Sequence, residues 1–135
     1  MSLIFAGSSD ILSAPHTSRF LVPALKWLIP NISDTALHDV QVFIRKCGHL
    51  SEYALLGLLL WRARRQPVVH DTRPWFWPDA RWAICAAALY AATDEFHQYF
   101  VATRQASVWD VCIDTLGATL GIMLLWRLGR WRKQW

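Results

Sequence analysis

The sequence predicts an all-α integral membrane protein, a small bundle of three transmembrane helices preceded by a short interfacial helix. Three observations carry this expectation. The chain is 54% hydrophobic in a count that leaves Gly out, against roughly 45–50% for soluble chains with Gly included. The excess is gathered into runs at 43–61, 82–101 and 108–128, each close to the ~20 residues that a helix needs to cross roughly 30 Å of hydrocarbon. Basic residues and tryptophans cluster at the ends of these runs, as anchors at a membrane surface do.

At 135 residues the chain is one domain, residues 1–135. Its net charge of +4 comes from Arg and Lys that flank apolar runs. That placement fits membrane anchoring better than a nucleic-acid footprint. Cys47, Cys85 and Cys112 each lie within an apolar run with no CxxC spacing, so they are expected to be small buried hydrophobes.

Taken in order, residues 1–34 form a partial first helix and an interfacial segment. The apolar fragment at 3–6 is too short to span, and GSSD breaks it. Residues 19–29, RFLVPALKWLI, lie between Ser18 and Pro30 and include Pro23. That length cannot cross a bilayer and suits an interfacial helix with Lys26 and Trp27 at headgroup level. Ser33 or Asp34 caps a helix beginning near Thr35. This helix is polar at first, becomes mostly apolar over 43–61, and ends in Arg62, Arg64 and Arg65. Pro67, Pro74 and Pro78 make 62–81 a loop, in which Trp75, Phe76 and Trp77 are interfacial anchors. Pro78 and Asp79 open the helix that contains 82–101. Residues 102–107 form a polar turn, and Ser107 caps the helix over 108–128.

Orientation follows from Lys and Arg. The loop holds Arg62, Arg64, Arg65, Arg73 and Arg81, the tail holds Arg127, Arg130, Arg132 and Lys133, and the turn before Ser107 holds only Arg104. The positive-inside rule places loop 62–81 and the C-terminus in the cytoplasm of a multi-pass membrane protein. The start of the first span and the 94–110 region then face the outer leaflet. Three spans with a cytoplasmic C-terminus need an outer N-terminus, and FAGSSD at 5–10 reads as the tail of a spanning helix. The expectation is that the natural chain begins upstream with a complete first helix.

The ionisable residues of the apolar runs gather at that outer end. Lys46, His49 and Tyr53 share a helix face with Glu52 beside it. Asp94, His97 and Gln98 share another, and Glu95 reaches Gln98. Asp110 and Asp114 are i,i+4 neighbours on a face that Gly117 and Gly121 continue as GxxxG, a surface for close helix packing. Groups of this kind inside a membrane segment are expensive and are retained with a partner, a water path or a job.

Three readings remain open. In one, the groups satisfy each other and fix helix register. In another they bind an amphiphile with a polar head, Arg104 clamping an anionic group and Asp94 or Glu95 serving as candidate catalytic acid or base. In the third, His49, Glu52, Asp94 and His97 ligate a metal, although HxxxH and HExxH are both absent. No cofactor is implied.

The segments RKCGHLSEYALLGLLL (45–60), YAATDEFHQYFVATRQASVWDVCIDTLGATLG (90–121) and FAGSSD resemble the VanZ-like family of small bacterial membrane proteins. Lys46, His49, Glu52, Tyr53, Asp94, Glu95, Gln98, Arg104, Asp110, Asp114, Gly117 and Gly121 fall on the family's motif positions. The chain departs at 101–103, where the family often carries Pro-Gly, and at Asp114, where it often carries Asn. The resemblance implies four spanning helices, ten ligand-binding candidates from Lys46 to Asp114, and helix packing at Gly117 and Gly121. It also implies a cell-envelope role linked to low-level resistance to teicoplanin, a lipoglycopeptide antibiotic. The expected partners are membrane lipids, an amphiphilic or lipid-linked ligand at the outer leaflet, and a second copy or another membrane protein. An enzyme acting on a lipid-linked substrate and an accessory subunit of a membrane complex are the alternatives.

Overall fold

The computed structural model describes residues 22–23, 25–29, 32–67, 73–100 and 107–134. Among them the regular structure is helical throughout, with no strand. The long elements are α1 (Asp34–Arg65), α2 (Trp77–Gln98) and α3 (Val108–Trp131). The chain divides into two compact units, Met1–Cys47 and Gly48–Trp135, and α1 contributes to both.

In the first unit the backbone is helical at 22–23 and 25–28, within the expected interfacial segment. Trp27, Leu28 and Ile29 are exposed there. The expected partial first helix, the 1–18 stretch, lies outside the described residues. The Ser33 hydroxyl accepts the Ala36 N–H at 3.2 Å and so caps α1, satisfying one of the donors that the first turn leaves open.

In the second unit each helix ends where its chemistry changes. Gln66, with φ of 45°, adopts the left-handed conformation that closes α1, and Pro67 follows. Pro78 sits in the first turn of α2, where its missing N–H is harmless, and Asp79 faces the positive end of the helix dipole. Ser107 caps α3 by accepting the Trp109 N–H at 3.2 Å. At the other end of α2, Gln98 is the last helical residue and Tyr99 and Phe100 form a turn; Val101 lies outside the described residues.

Small residues bring the helices together. Ala80, Ala83, Ala87 and Ala91 recur at helical spacing on α2 and are fully buried, and α2 packs along α3. Gly117 and Gly121 of α3 receive α1. A Cβ at Gly117 would run into the Leu50 carbonyl oxygen, and one at Gly121 would stand 2.7 Å from that of Ala54. Backbones this close gain dispersion contacts that larger side chains would block.

The basic end is tied by arginine and tryptophan. Trp61, Ala80, Ala83 and Ile122 form a core there, and Trp61 stacks on Trp75 with centroids 5.3 Å apart. The buried Arg65 guanidinium donates to the carbonyls of Pro74 and Arg73 at 3.1 and 2.6 Å, and Arg73 donates back to the Arg65 carbonyl at 2.9 Å. These bonds satisfy the last turn of α1 while fixing the return of the chain. Arg64 pairs with Asp79 at 3.0 Å and lies over Trp82.

The outward faces are apolar. Leu55, Leu59, Leu89, Leu116 and Leu124 are each more than half exposed. Helix α3 is long and apolar enough to cross a membrane, and only 28% of its most apolar stretch is buried, unlike the core helix of a soluble protein. α1 and α2, which contain the expected runs 43–61 and 82–101, carry more charge and do not meet that criterion. One expectation is corrected: Cys47, Cys85 and Cys112 are exposed, not buried. Apolar runs mark a core only when the surroundings are polar; here the outward face is apolar as well, and small thiols sit on it.

Candidate functional site

The polar groups of the second unit collect where the Gly117–Gly121 face of α3 meets α1 and where the end of α2 meets the start of α3. The alanine stripe of α2 runs directly into Asp94, Glu95 and Gln98, which are 9%, 7% and 6% exposed. Burying such groups is costly unless each finds a partner.

Two of these carboxylates have found one. Gln98 Nε2 donates to Asp94 Oδ2 at 2.8 Å across one helical turn. Glu95 Oε2 accepts the backbone N–H of Ser107 at 2.8 Å. The α3 start is thereby held by two acceptors, the Glu95 carboxylate on Ser107 and the Ser107 hydroxyl on Trp109. A carboxylate at a helix N-terminus also meets the positive end of the helix dipole. Glu95, expected as a candidate acid or base, therefore joins α2 to α3.

The groups between α1 and α3 are different. Asp114 is 1% exposed, and its Oδ1 lies 3.5 Å from His49 Nδ1. That is an ion-pair distance and too long for a good N–H···O hydrogen bond, and both atoms are buried without a hydrogen-bond partner. One turn further along α1, Tyr53 is 1% exposed and its hydroxyl likewise has none. Its ring lies against Tyr90 of α2, with centroids 6.4 Å apart. Three polar atoms without partners in so small a region are unusual, since nearly all buried polar groups are bonded.

The remaining expected residues are placed as follows. Asp110 is half-buried, one turn before Asp114, and Glu52 is exposed. His97 is exposed and does not join Asp94 and Gln98 on the buried face. Lys46 is exposed on α1 within the first unit. Arg104 lies outside the described residues. Among the described residues no group of three or more His, Cys, Asp or Glu side chains gathers as a metal site would, so His49, Glu52, Asp94 and His97 do not converge.

Sequence reasoning missed three features. The alanine stripe was readable as Ala at i, i+3, i+7 and i+11 from Ala80. The Glu95–Ser107 bond had a partial signal, an acidic helix end followed by a short turn and a cap residue. The Arg65 staple had none, because its partners are backbone carbonyls.

The family model of VanZ/LLP1 matches residues 1–129. No curated protein matches the chain and no solved structure does.

Proposed function

The chain belongs to the VanZ/LLP1 family, and from that premise we propose that it is a multi-pass envelope protein whose polar site binds the head of an amphiphilic or lipid-linked molecule at the outer leaflet. The carrying observation is the contrast between two sets of buried groups. Asp94, Gln98 and Glu95 are satisfied within the chain. Tyr53 Oη is not, and His49 Nδ1 and Asp114 Oδ1 meet only at ion-pair distance, without a hydrogen bond; an unmet buried group costs about 1–3 kcal/mol. Functional sites keep such a deficit, because a ligand supplies the missing bonds.

The setting favours an amphiphile. The site lies between helices whose outward faces are apolar, with Leu116, Leu120 and Leu124 exposed along α3. The opposite end carries Arg64, Arg65, Arg130 and Arg132, so the positive-inside rule turns the polar site outward. That is the face on which a lipoglycopeptide acts, which agrees with the family's link to teicoplanin. Asp94 and Glu95 remain the candidate catalytic groups if the bound molecule is transformed. A second reading, an accessory subunit with a purely structural network, is favoured by the Asp94–Gln98 and Glu95–Ser107 bonds.

Thermal unfolding in detergent separates the two. A ligand that binds only the folded protein at 100 times its Kd stabilises by about 2.7 kcal/mol. Teicoplanin and a panel of bacterial lipids are added to the wild type and to Asp114→Asn. The binding reading expects at least one amphiphile to raise the wild-type melting temperature and to lose that effect in the variant. If every amphiphile leaves the wild type unmoved, or moves both proteins equally, the site is structural.

A further inference from the structure

The arginines at the basic end fall into two groups. Arg65 and Arg73 bond to backbone carbonyls, and Arg64 holds Asp79. Among the described residues Asp79 is the one carboxylate at this end. Arg81, Arg127 and Arg130 are exposed, and among the described residues no ion pair reaches them. Two tryptophans lie beside this second group. Trp77 at the start of α2 meets Trp126 near the end of α3, with ring centroids 5.6 Å apart. Arg130 lies over Trp126 at 5.5 Å, a contact that holds its planar guanidinium in place. Arg81 follows Trp77 by one turn of α2, and Arg127 is next to Trp126 in the chain. An apolar ridge runs into the same place. Leu116, Leu120 and Met123 are exposed on α3, and Arg127 continues their spacing at i, i+4, i+7 and i+11. The ridge is about 17 Å long at 1.5 Å per residue, close to one leaflet's share of the roughly 30 Å hydrocarbon core.

A ridge that is apolar for one leaflet's depth and cationic at its end fits one kind of molecule. We propose that it seats an anionic phospholipid of the cytoplasmic leaflet, the phosphate on Arg127 and Arg130 with Arg81 beside them, the acyl chains along Met123, Leu120 and Leu116. Guanidinium groups bind phosphate oxygens through paired hydrogen bonds, and basic residues at the cytoplasmic end of a helix attract anionic head groups. The positive-inside rule puts this end in the cytoplasmic leaflet. A zwitterionic lipid brings the same phosphate together with a cation that the arginines repel. A nucleic acid would use the arginines and leave the apolar ridge uncovered. The site rests on the membrane-spanning reading above and not on the outer-leaflet ligand, since it lies at the opposite end of α3 from Asp114.

The test titrates the delipidated full chain in neutral detergent with phosphatidylglycerol, phosphatidylcholine, free glycerol phosphate or a short single-stranded RNA, and counts bound molecules by native mass spectrometry. The wild type is expected to bind phosphatidylglycerol more tightly than the other three. A basic residue near an anionic surface is worth about fivefold in affinity. Arg127→Gln and Arg130→Gln are therefore expected to lose about fivefold each and about 25-fold together. Arg62→Gln makes the same charge change on the exposed end of α1, away from the ridge, and is expected to lose less than about twofold. Equal wild-type affinity for phosphatidylglycerol and phosphatidylcholine, or an equal loss in Arg62→Gln, means a diffuse basic surface and overturns the site. Glycerol phosphate or RNA that binds as tightly as phosphatidylglycerol overturns the phospholipid as its occupant. The wild-type comparison of the two lipids decides even if an arginine variant fails to fold. Failure here leaves the outer-leaflet reading standing, because that reading is tested by Asp114→Asn at the other end of α3.

Discussion

Substituting Gly117 and Gly48 by alanine makes the same chemical change at two positions with opposite expected signs. A Cβ at Gly117 would press on the backbone of Leu50, reaching its carbonyl oxygen and standing 3.0 Å from Cα and 3.1 Å from C. Backbone atoms cannot swing away as a flexible side chain can, so α1 and α3 must separate. Forced overpacking of this kind costs about 1–3 kcal/mol, and the closeness of the contact puts Gly117 at the upper end. Alanine returns about 1 kcal/mol through helix propensity. The net expectation is a loss of about 2 kcal/mol, or about 6 °C for a chain of this size. At Gly48 nothing lies within 4 Å of the added carbon, so only the propensity gain remains, about 0.5–1 kcal/mol. Melting both variants in detergent by far-ultraviolet circular dichroism measures the difference. If Gly117→Ala melts with or above the wild type, the close crossing of α1 and α3 is wrong; if Gly48→Ala melts below it, the open space at Gly48 is wrong.

Tyr53→Phe removes a buried hydroxyl without a partner and is expected to raise stability by about 1 kcal/mol, read as a higher melting temperature in the absence of added lipid. Glu95→Gln keeps the shape but weakens the charge-assisted bond to the Ser107 N–H; denaturant titration should show a loss of about 1–2 kcal/mol. Arg65→Met should free the 73–76 segment and destabilise by about 3 kcal/mol, since two carbonyls lose their donor, with limited proteolysis near Arg73 as the direct readout. Arg64→Met breaks the partly exposed pair with Asp79 and should change stability by less than about 1 kcal/mol.

Much of this organisation was legible in the sequence, and the reasons differ by element. Helix existence followed from long apolar runs and their punctuation: Ser33 and Ser107 cap as their residue types require, and Pro67 marks the end of α1. The GxxxG spacing of Gly117 and Gly121 announced a close crossing, and the crossing is there. Burial of Asp114 followed from its place on the glycine face. Pairings were less legible. Spacing put Asp94, His97 and Gln98 on one side of a helix, but a face about 100° wide holds both buried and exposed positions, and His97 falls on the exposed part. The cysteines went the same way, since the sequence shows an apolar run and not which side of it faces outward. That His49 faces Asp114 depends on the relative rotation of two helices, which no local pattern encodes.

The most direct test of a ligand-binding polar site is native mass spectrometry of the protein released from membranes, comparing the wild type with Tyr53→Phe and Asp114→Asn. A ligand-binding site predicts that the wild type leaves the membrane carrying a co-purified amphiphile, that both variants lose most of it, and that Tyr53→Phe does so while remaining at least as stable. Equal retention by all three proteins, or a wild type that carries nothing, would contradict it.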